Sequence, residues 1–131
     1  TARIQYSILD GVNSLRRAAR LQILIFNAKL NAAAATHARD MSVQNRAWHF
    51  GSDGSSPLDR MERVGYEGTL LGENISETFE SELETLAAWM VTPATRTIIL
   101  APEAQEMGFS WYQEPGGKIW WTLVTGIEAP S

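Results

Sequence analysis

The sequence predicts an α+β domain in which helices pack on a small antiparallel sheet. Helical patterns come first, whereas aromatic and β-branched residues dominate two late segments, Glu106–Gln113 and Lys118–Ile127. The residues that separate these segments, Glu114–Gly117, read E-P-G-G and form a typical β-hairpin turn signal. Helices followed by strands are typical of the α+β class, and no internal repeat or linker interrupts the pattern.

The size and composition of the chain narrow the possible functions. With 131 residues, 44% hydrophobic and 20% charged, we expect a single domain (1–131) with its own core. A net charge of -4 argues against nucleic-acid binding, for which a basic patch is expected. The one basic cluster, Arg16-Arg17 with Arg20, is predicted to lie on a solvated helix face. No apolar run approaches the roughly 18 residues of a membrane span.

The first third of the chain predicts two helices joined by an extended segment. Tyr6–Arg20 has apolar residues three and four apart, which indicates an amphipathic helix. Leu21–Phe26 is β-branched and aromatic and is expected to be extended, although its periodicity alone is also compatible with a helix. Asn27 is a candidate N-cap for a helix over Ala28–Asn45. His37 lies on the apolar stripe of that helix, so we expect a buried histidine that donates to a backbone carbonyl.

The middle of the chain predicts three shorter helices. Ser56 can cap a helix over Pro57–Val64 that ends at Gly65, after which the chain becomes extended. Thr78 is the predicted cap of the next helix, and Pro93 is the predicted start of the last. The apolar stripe expected on the helix after Thr78 consists of Phe79, Leu83, Leu86 and Met90. The aromatic residues expected in the core or on the sheet face are Trp111, Trp120 and Trp121.

The stretch Trp48–Ile75 is the candidate functional site. Its many glycines and serines, which favour turns and close backbone approach, bracket His49 and Glu73. We expect this stretch to form the floor of a surface cleft. If the two side chains meet there, they can share a metal such as zinc or act as a general acid/base couple. A serine nucleophile is not evident, because the nearby serines lack the G-x-S-x-G setting of a hydrolase elbow: Ser52, Ser55 and Ser56.

An ordered set of motifs covers nearly the whole chain: LNAAAATHARDM at Leu30–Met41, HFGSDGSSP at His49–Pro57, GENI at Gly72–Ile75, WM with TP and RTIIL over Trp89–Leu100, and WT at Trp121-Thr122. Taken together, these motifs resemble the CAP superfamily, in its bacterial form. This family is also called SCP-like, and it groups cysteine-rich secretory proteins, antigen 5 allergens and plant pathogenesis-related 1 proteins.

The resemblance implies an α-β-α sandwich with a large central cleft in a secreted, periplasmic or extracellular protein. The chain begins at Thr1 without a signal-peptide pattern, which fits a processed or trimmed protein. Family members often line the cleft with two histidines and two acidic residues, and some bind zinc there. His49 matches the first histidine and Glu73 the first acid, but the other positions depart from the pattern: Thr92, Thr95, Trp120 and Leu123. We therefore expect a His–Glu remnant that binds a divalent cation weakly at best.

Three functional hypotheses follow from the resemblance. The leading one is a non-catalytic binding module that captures a lipid-, sterol- or peptide-like ligand, with Ser52, Asn74, Thr95 and Trp120 also lining its cleft. The first alternative is a metal-assisted hydrolase in which His49 and Glu73 are catalytic. The second is a purely structural or interaction domain, since a fold by itself does not fix a function.

Overall fold

The computed structural model describes residues 2–130. In chain order its elements are α1 (Ala2–Ala18), β1 (Ile25–Phe26), α2 (Ala28–Gln44), α3 (Pro57–Val64), β2 (Thr69–Glu77), α4 (Glu82–Val91), α5 (Pro93–Ile99), β3 (Glu106–Gln113) and β4 (Ile119–Ile127). Within this described part of the chain, every helix is too short or too polar to cross a bilayer.

The four strands form one sheet in the order β1-β3-β4-β2. The predicted hairpin is confirmed as β3 and β4, which pair antiparallel, and β2 pairs antiparallel with the other side of β4. The sheet is not wholly antiparallel, because Ile25 and Phe26 of β1 run parallel to β3. The segment Gly72–Ile75 lies inside β2, so the candidate Glu73 is held by a regular strand next to Val124.

Helices cover both faces of the sheet, which confirms the α-β-α sandwich. Side chains alternate along β4, so neighbouring residues enter different cores. Trp121 and Leu123 pack in the larger core with residues of α1, α4 and α5. Trp120 and Val124 point to the opposite face and pack against α2. The aromatic residues predicted for the interior are therefore shared between two layers, with Trp120 and Trp121 fully buried.

The caps around the candidate site follow the sequence prediction. Asn27 accepts hydrogen bonds from two amides of the first turn of α2. Ser56 and Asp59 form a reciprocal capping box at the start of α3, which satisfies amides that have no partner within the helix. Gly65 ends α3 with φ of 72°, in the left-handed region that glycine adopts without a steric penalty. These local signals fix both ends of α3, and α3 carries Arg60.

The predicted start of α4 is wrong. Ser81, rather than Thr78, caps this helix by accepting from the amide of Glu84. The amide of Thr78 instead donates to the carbonyl of Ile119 and continues the pairing of β2 with β4. Phe79 therefore precedes the helix, and the buried face of α4 consists of Thr85, Leu86 and Trp89. The strand pairing extends past the point where local propensity favoured a helix.

The predicted solvated face of α1 is also partly wrong, because Arg16 is fully buried. Its guanidinium donates to four backbone carbonyls in and after α5 and in the loop after α1, those of Gln22, Ile99, Ala101 and Ala104. The last carbonyls of a helix have no partner within the helix, and a buried arginine satisfies them with several donors at once. Arg17, one residue later, is exposed as expected.

Candidate functional site

The centre of the candidate site is the carboxylate of Glu73, whose side chain is only 2% exposed. Glu73 points from β2 toward the layer of α2 and α3. Arg60 Nη2 lies 3.0 Å from Oε1 and 2.8 Å from Oε2 of this carboxylate. His49 Nδ1 lies 3.0 Å from Oε1. The structure thus brings together His49 and Glu73, which are 24 residues apart in sequence, and places a buried arginine against them.

Arg60 also ties the loop before α3 to the site. It is 4% exposed, and its Nη2 donates to the backbone carbonyl of His49 at 2.8 Å. A buried carboxylate is costly unless an opposite charge and hydrogen bonds compensate it. Arg60 supplies both to Glu73, and the same nitrogen holds the backbone of His49 in place. Arg60 is not among the site residues predicted from the sequence.

His49 is the exposed member of the cluster, with half of its side chain accessible to solvent. A carboxylate accepts hydrogen bonds, so in the neutral imidazole the Nδ1 that contacts Glu73 carries the proton. We infer this tautomer from the hydrogen-bond partners. Nε2 of His49 is then the unprotonated nitrogen. This arrangement, in which a carboxylate orients an imidazole, leaves one nitrogen available for a ligand or a proton.

His37 of α2 is the second histidine of the cluster and is fully buried. The prediction that it bonds to a backbone carbonyl is confirmed, because Nε2 lies 2.7 Å from the carbonyl oxygen of Trp48. The carbonyl can only accept, so neutral His37 carries its proton on Nε2. Nε2 also lies 3.8 Å from Oε1 of Glu73, a proximity that the sequence did not predict. The helical stripe indicated burial but not which strand the histidine faces.

Burial lowers the pKa of His37, against the opposing effect of the nearby Glu73 carboxylate. The unfolded chain then binds a proton near the ordinary histidine pKa of about 6.5 while the folded chain does not. Stability from this group is complete above that pH and is lost as the pH falls below it. We expect the free energy of unfolding to drop between about pH 7 and pH 5.5, by at most about 1.4 kcal/mol per pH unit.

Chemical denaturation at a series of pH values tests this expectation. The variant His37→Gln, which keeps a donor for the Trp48 carbonyl, should lose the slope. The matched variant His49→Asn should keep it, because it removes the exposed histidine and leaves the buried one. A slope that survives in His37→Gln would assign the titration to another group and contradict this account.

Two of the residues predicted to line the cleft lie on the same face of the sheet as Glu73. Ser52 is exposed, and its amide donates to Oδ2 of Asp40 at 2.7 Å. Trp120 is fully buried beneath α2, and its Nε1 donates to Oε2 of Glu114 at 2.8 Å. Ser52 is therefore accessible to a ligand, whereas Trp120 belongs to the core of this layer.

The other two predicted residues lie on the opposite face. Asn74 follows Glu73 in β2, so its side chain points to the other side of the sheet. It is fully buried, and its Nδ2 donates to the backbone carbonyl of Thr95 at 3.0 Å. Thr95 in α5 donates its own hydroxyl to the carbonyl of Trp89 at 2.6 Å. The sheet therefore separates this pair from His49 and Glu73, and the four predicted residues do not form one surface.

A groove of about 440 Å³ lies beside the Glu73 cluster, between α2, α3 and the loop that joins them. Its wall combines apolar side chains with charged and hydroxyl groups: Ala33, Thr36, His37, Arg39, Asp40, Val43, Ser52, Asp53, Ser55, Arg60, Arg63 and Val64. His37 and Arg60 thus belong both to the cluster and to the groove. The groove is amphipathic, with more than one kind of contact to offer a ligand.

Short-range hydrogen bonds hold the loop at the edge of this groove. Asp53 accepts from Ser55, and its carboxylate lies 2.8 Å from Nη1 of Arg63 on α3. The hydrogen bonds from Ser55, together with Arg63, hold the pKa of Asp53 well below its ordinary value. Both members of the Arg63–Asp53 pair are more than half exposed. This ion pair is a surface contact, unlike the buried pair of Arg60 and Glu73.

The donor set does not suit a resident zinc ion. Structural and catalytic zinc sites use three or four protein ligands. Here both oxygens of Glu73 already accept from Arg60, and one also contacts His49. With Nδ1 of His49 bonded to Glu73, Nε2 is the nitrogen of this imidazole that could bind a metal. Residues 2–130 contain no group of three potential ligands arranged to hold a metal ion.

Comparison with known proteins identifies a family and a bacterial relative. A model of the CAP family, described as the cysteine-rich secretory protein family, matches residues 9–125. The uncharacterized protein YkwD of Bacillus subtilis is 27% identical over 113 residues, which are 86% of this chain and 43% of that protein. The chain thus spans less than half the length of this curated relative.

Two solved structures show the same fold. An outer surface protein of Borrelia burgdorferi superimposes with a TM-score of 0.86 at 15% identity, covering 96% of this chain and 93% of that one. An extracellular protein of Bacillus anthracis that contains an SCP domain superimposes with a TM-score of 0.86 at 22% identity, covering 94% of this chain and 40% of that one. At these identities the likeness concerns the fold alone.

Proposed function

This chain belongs to the CAP, or cysteine-rich secretory protein, family, and from that premise we propose that it is a secreted, non-catalytic binding module. Its ligand is of lipid, sterol or peptide type. A secreted location is supported by the family's description and by the similar proteins described as extracellular or as located on the outer surface. The activity and partners of the longer relatives do not transfer by fold alone.

The single observation that carries the non-catalytic proposal is the saturation of Glu73. Its carboxylate is buried and accepts from Arg60 through both oxygens and from His49 through one. A general base must be free to accept a proton from substrate or water within hydrogen-bond distance. Glu73 would have to give up a buried ion pair to do so, which is energetically costly. Its geometry supports a role in holding Arg60 and His49 in position.

The groove beside this cluster supports capture of a ligand. Concave sites that bind small molecules are mostly apolar with a few placed polar groups, and volumes of roughly 300–1,000 Å³ are typical. The groove, at about 440 Å³, falls in this range, and apolar residues such as Val43 and Val64 share its wall with Arg60. An amphipathic ligand of modest size fits this combination.

Thermal denaturation with a panel of fatty acids, sterols and short peptides tests the proposal. A ligand that binds the folded chain, present at about 100 times its dissociation constant, should add about 2.7 kcal/mol to the free energy of unfolding. We expect at least one class to raise the melting temperature progressively as its concentration increases. A panel without any shift would favour a purely structural or interaction domain.

A metal-assisted hydrolase is the second candidate, and one observation favours it. The contact between His49 Nδ1 and Glu73 orients the imidazole as in carboxylate–histidine couples that act as bases. In that role Glu73 would orient and His49 Nε2 would accept a proton. This candidate also requires a set of side chains that holds a metal, and residues 2–130 contain no group of three potential ligands arranged to do so. Measurable peptide or ester turnover that is lost in His49→Ala would replace the binding module with this alternative.

Zinc binding separates the two candidates further. Because the His49–Glu73 contact leaves one nitrogen for the metal, we expect calorimetric titration to show a dissociation constant weaker than about micromolar. The variant His49→Ala should change the dissociation constant for zinc little, because one imidazole nitrogen adds little to weak binding at the protein surface. A nanomolar affinity that His49→Ala abolishes would show that the cluster rearranges into a true metal site.

A further inference from the structure

Two buried side chains in the wall of the groove have polar atoms without a protein partner. Nε and Nη1 of Arg60 make no hydrogen bond within residues 2–130, although the residue is only 4% exposed. Nδ1 of His37 is likewise unpaired in this part of the chain, and His37 is fully buried. Both residues line the groove between α2 and α3. These atoms belong to neither the Glu73 contact nor the Trp48 contact described above.

Such atoms are unusual in folded proteins, because an unpaired buried donor or acceptor costs free energy. Three of them on two wall residues of one groove indicate that something else completes their hydrogen bonds. A trapped water or a polar group of a ligand can do so. The kinds of atom involved define which ligand chemistry fits.

Arg60 offers donors and His37 offers an acceptor. Glu73 uses only Nη2 of the planar guanidinium, so the N–H groups of Nη1 and Nε remain for other acceptors. A carboxylate is among the acceptors that a guanidinium binds most strongly, because both groups are charged. Because Nε2 of His37 carries the proton, its Nδ1 requires a donor such as an amide N–H. The complementary ligand therefore carries a carboxylate close to an N–H group.

We propose that this groove binds the carboxy terminus of a peptide. The terminal carboxylate pairs with Nη1 of Arg60, the N–H of the last residue donates to Nδ1 of His37, and Nε of Arg60 is left to a water. The last side chain is small and apolar and packs on Ala33, Val43 and Val64 of the groove wall. The inference rests on the proposed function, since it names the ligand class of a binding module. Capture of a chain terminus by placed polar groups is a recurring mode of peptide recognition.

The charges around the groove are compatible with an anionic ligand. Its wall carries the charged residues Arg39, Asp40, Asp53, Arg60 and Arg63. Each carboxylate is already engaged, Asp40 by the Ser52 amide and Asp53 by Arg63. The unpaired nitrogens are shielded from bulk water, so binding requires a movement in the wall. The Arg63–Asp53 pair is an exposed part of this wall, since both side chains are more than half accessible to solvent.

Calorimetric titration with two peptides tests the inference. The probes are acetyl-Ala-Ala-Ala with a free carboxylate and the same peptide as its carboxamide. We expect the free acid to bind about tenfold more tightly, because the amide loses the charge-assisted pair with Arg60. Two variants that leave Arg60 and its ion pair intact test whether the peptide binds in this groove. Val43→Glu places a negative charge on the groove wall at a residue 73% exposed, and Val91→Glu does so at an exposed residue of α4 on the far face of the sheet.

Val43→Glu should weaken binding of the free acid several-fold, whereas Val91→Glu should leave it unchanged. Equal affinities for acid and amide, or equal effects of the two glutamates, would overturn the carboxylate inference. Absence of any peptide binding up to millimolar concentration would overturn it as well and would leave trapped water as the partner of these atoms. Stabilisation by a fatty acid or sterol in that case would preserve the proposed binding module, so the two failures are distinguishable.

Discussion

Replacing Arg60 by alanine is expected to lower the free energy of unfolding by about 3–5 kcal/mol. The substitution leaves the buried carboxylate of Glu73 without its ion-pair partner, and it also removes the hydrogen bond to the His49 carbonyl. The cost arises because an uncompensated charge remains in a site that is closed to water. Urea denaturation of the variant and the parent chain measures this difference.

The neighbouring arginine of the same helix provides the matched control. Arg63→Ala removes an ion pair with Asp53 whose members are both more than half exposed, and it should leave stability unchanged within the precision of the measurement. The double variant Arg60→Ala with Glu73→Gln should recover part of the loss, since the buried charge is gone. A double variant no more stable than Arg60→Ala would show that packing, and not charge, sets the effect.

Replacing Arg16 by alanine is expected to cost about 4 kcal/mol, because charge-assisted hydrogen bonds are lost and a cavity is left, two effects that do not add fully. Arg16 is fully buried and pairs with no carboxylate within residues 2–130, so its charge is held by backbone carbonyls alone. All four carbonyls would lose the Arg16 donor, although those of Ala101 and Ala104 each keep one other, from the Ala104 amide and from Gln22 Nε2 respectively. Because the hydrogen bonds of Arg16 link α1 to the segment after α5, their loss should lower the stability of the whole sandwich.

Arg17, the next residue in α1, provides the matched control for Arg16. Arg17→Ala changes the same residue type at an exposed position of α1 and should alter stability by no more than about 0.5 kcal/mol. Arg16→Lys should restore little, because one ammonium cannot reach carbonyls that a planar guanidinium spans. Similar losses in Arg16→Ala and Arg17→Ala, measured by thermal and urea denaturation, would show that burial of Arg16 contributes nothing.

Local chemistry in the sequence predicts much of the scaffold correctly. The Asn27 cap, the cap at Ser56 and the helix end at Gly65 all follow from single residues and their near neighbours. Each depends on atoms only a few positions apart, so no knowledge of the tertiary structure is needed. The hairpin of β3 and β4 is predictable for the same reason, since its turn lies in four consecutive residues.

Predictions that depend on distant parts of the chain succeed less often. Local propensity favours a helix start at Thr78, but the amide of this residue is taken by Ile119 across the sheet. The local sequence predicts that Arg16 is exposed to solvent. In the structure it is buried and donates hydrogen bonds to carbonyls more than 80 residues away. In each case a hydrogen bond to a distant segment overrides a local preference, and nothing in the local sequence indicates that partner.

The amino-acid sequence alone indicated an α+β domain and the candidate pair His49 and Glu73, because periodicity, caps and turn signals are carried by neighbouring residues, and the resemblance of its motifs to the CAP family implied the α-β-α sandwich. Only the tertiary structure decided that Arg60 and His37 join this pair while Asn74 and Thr95 lie beyond the sheet. The physical reason is the alternation of side chains along β2, which sends adjacent residues to opposite layers. Which helix then meets each face depends on how the whole chain packs.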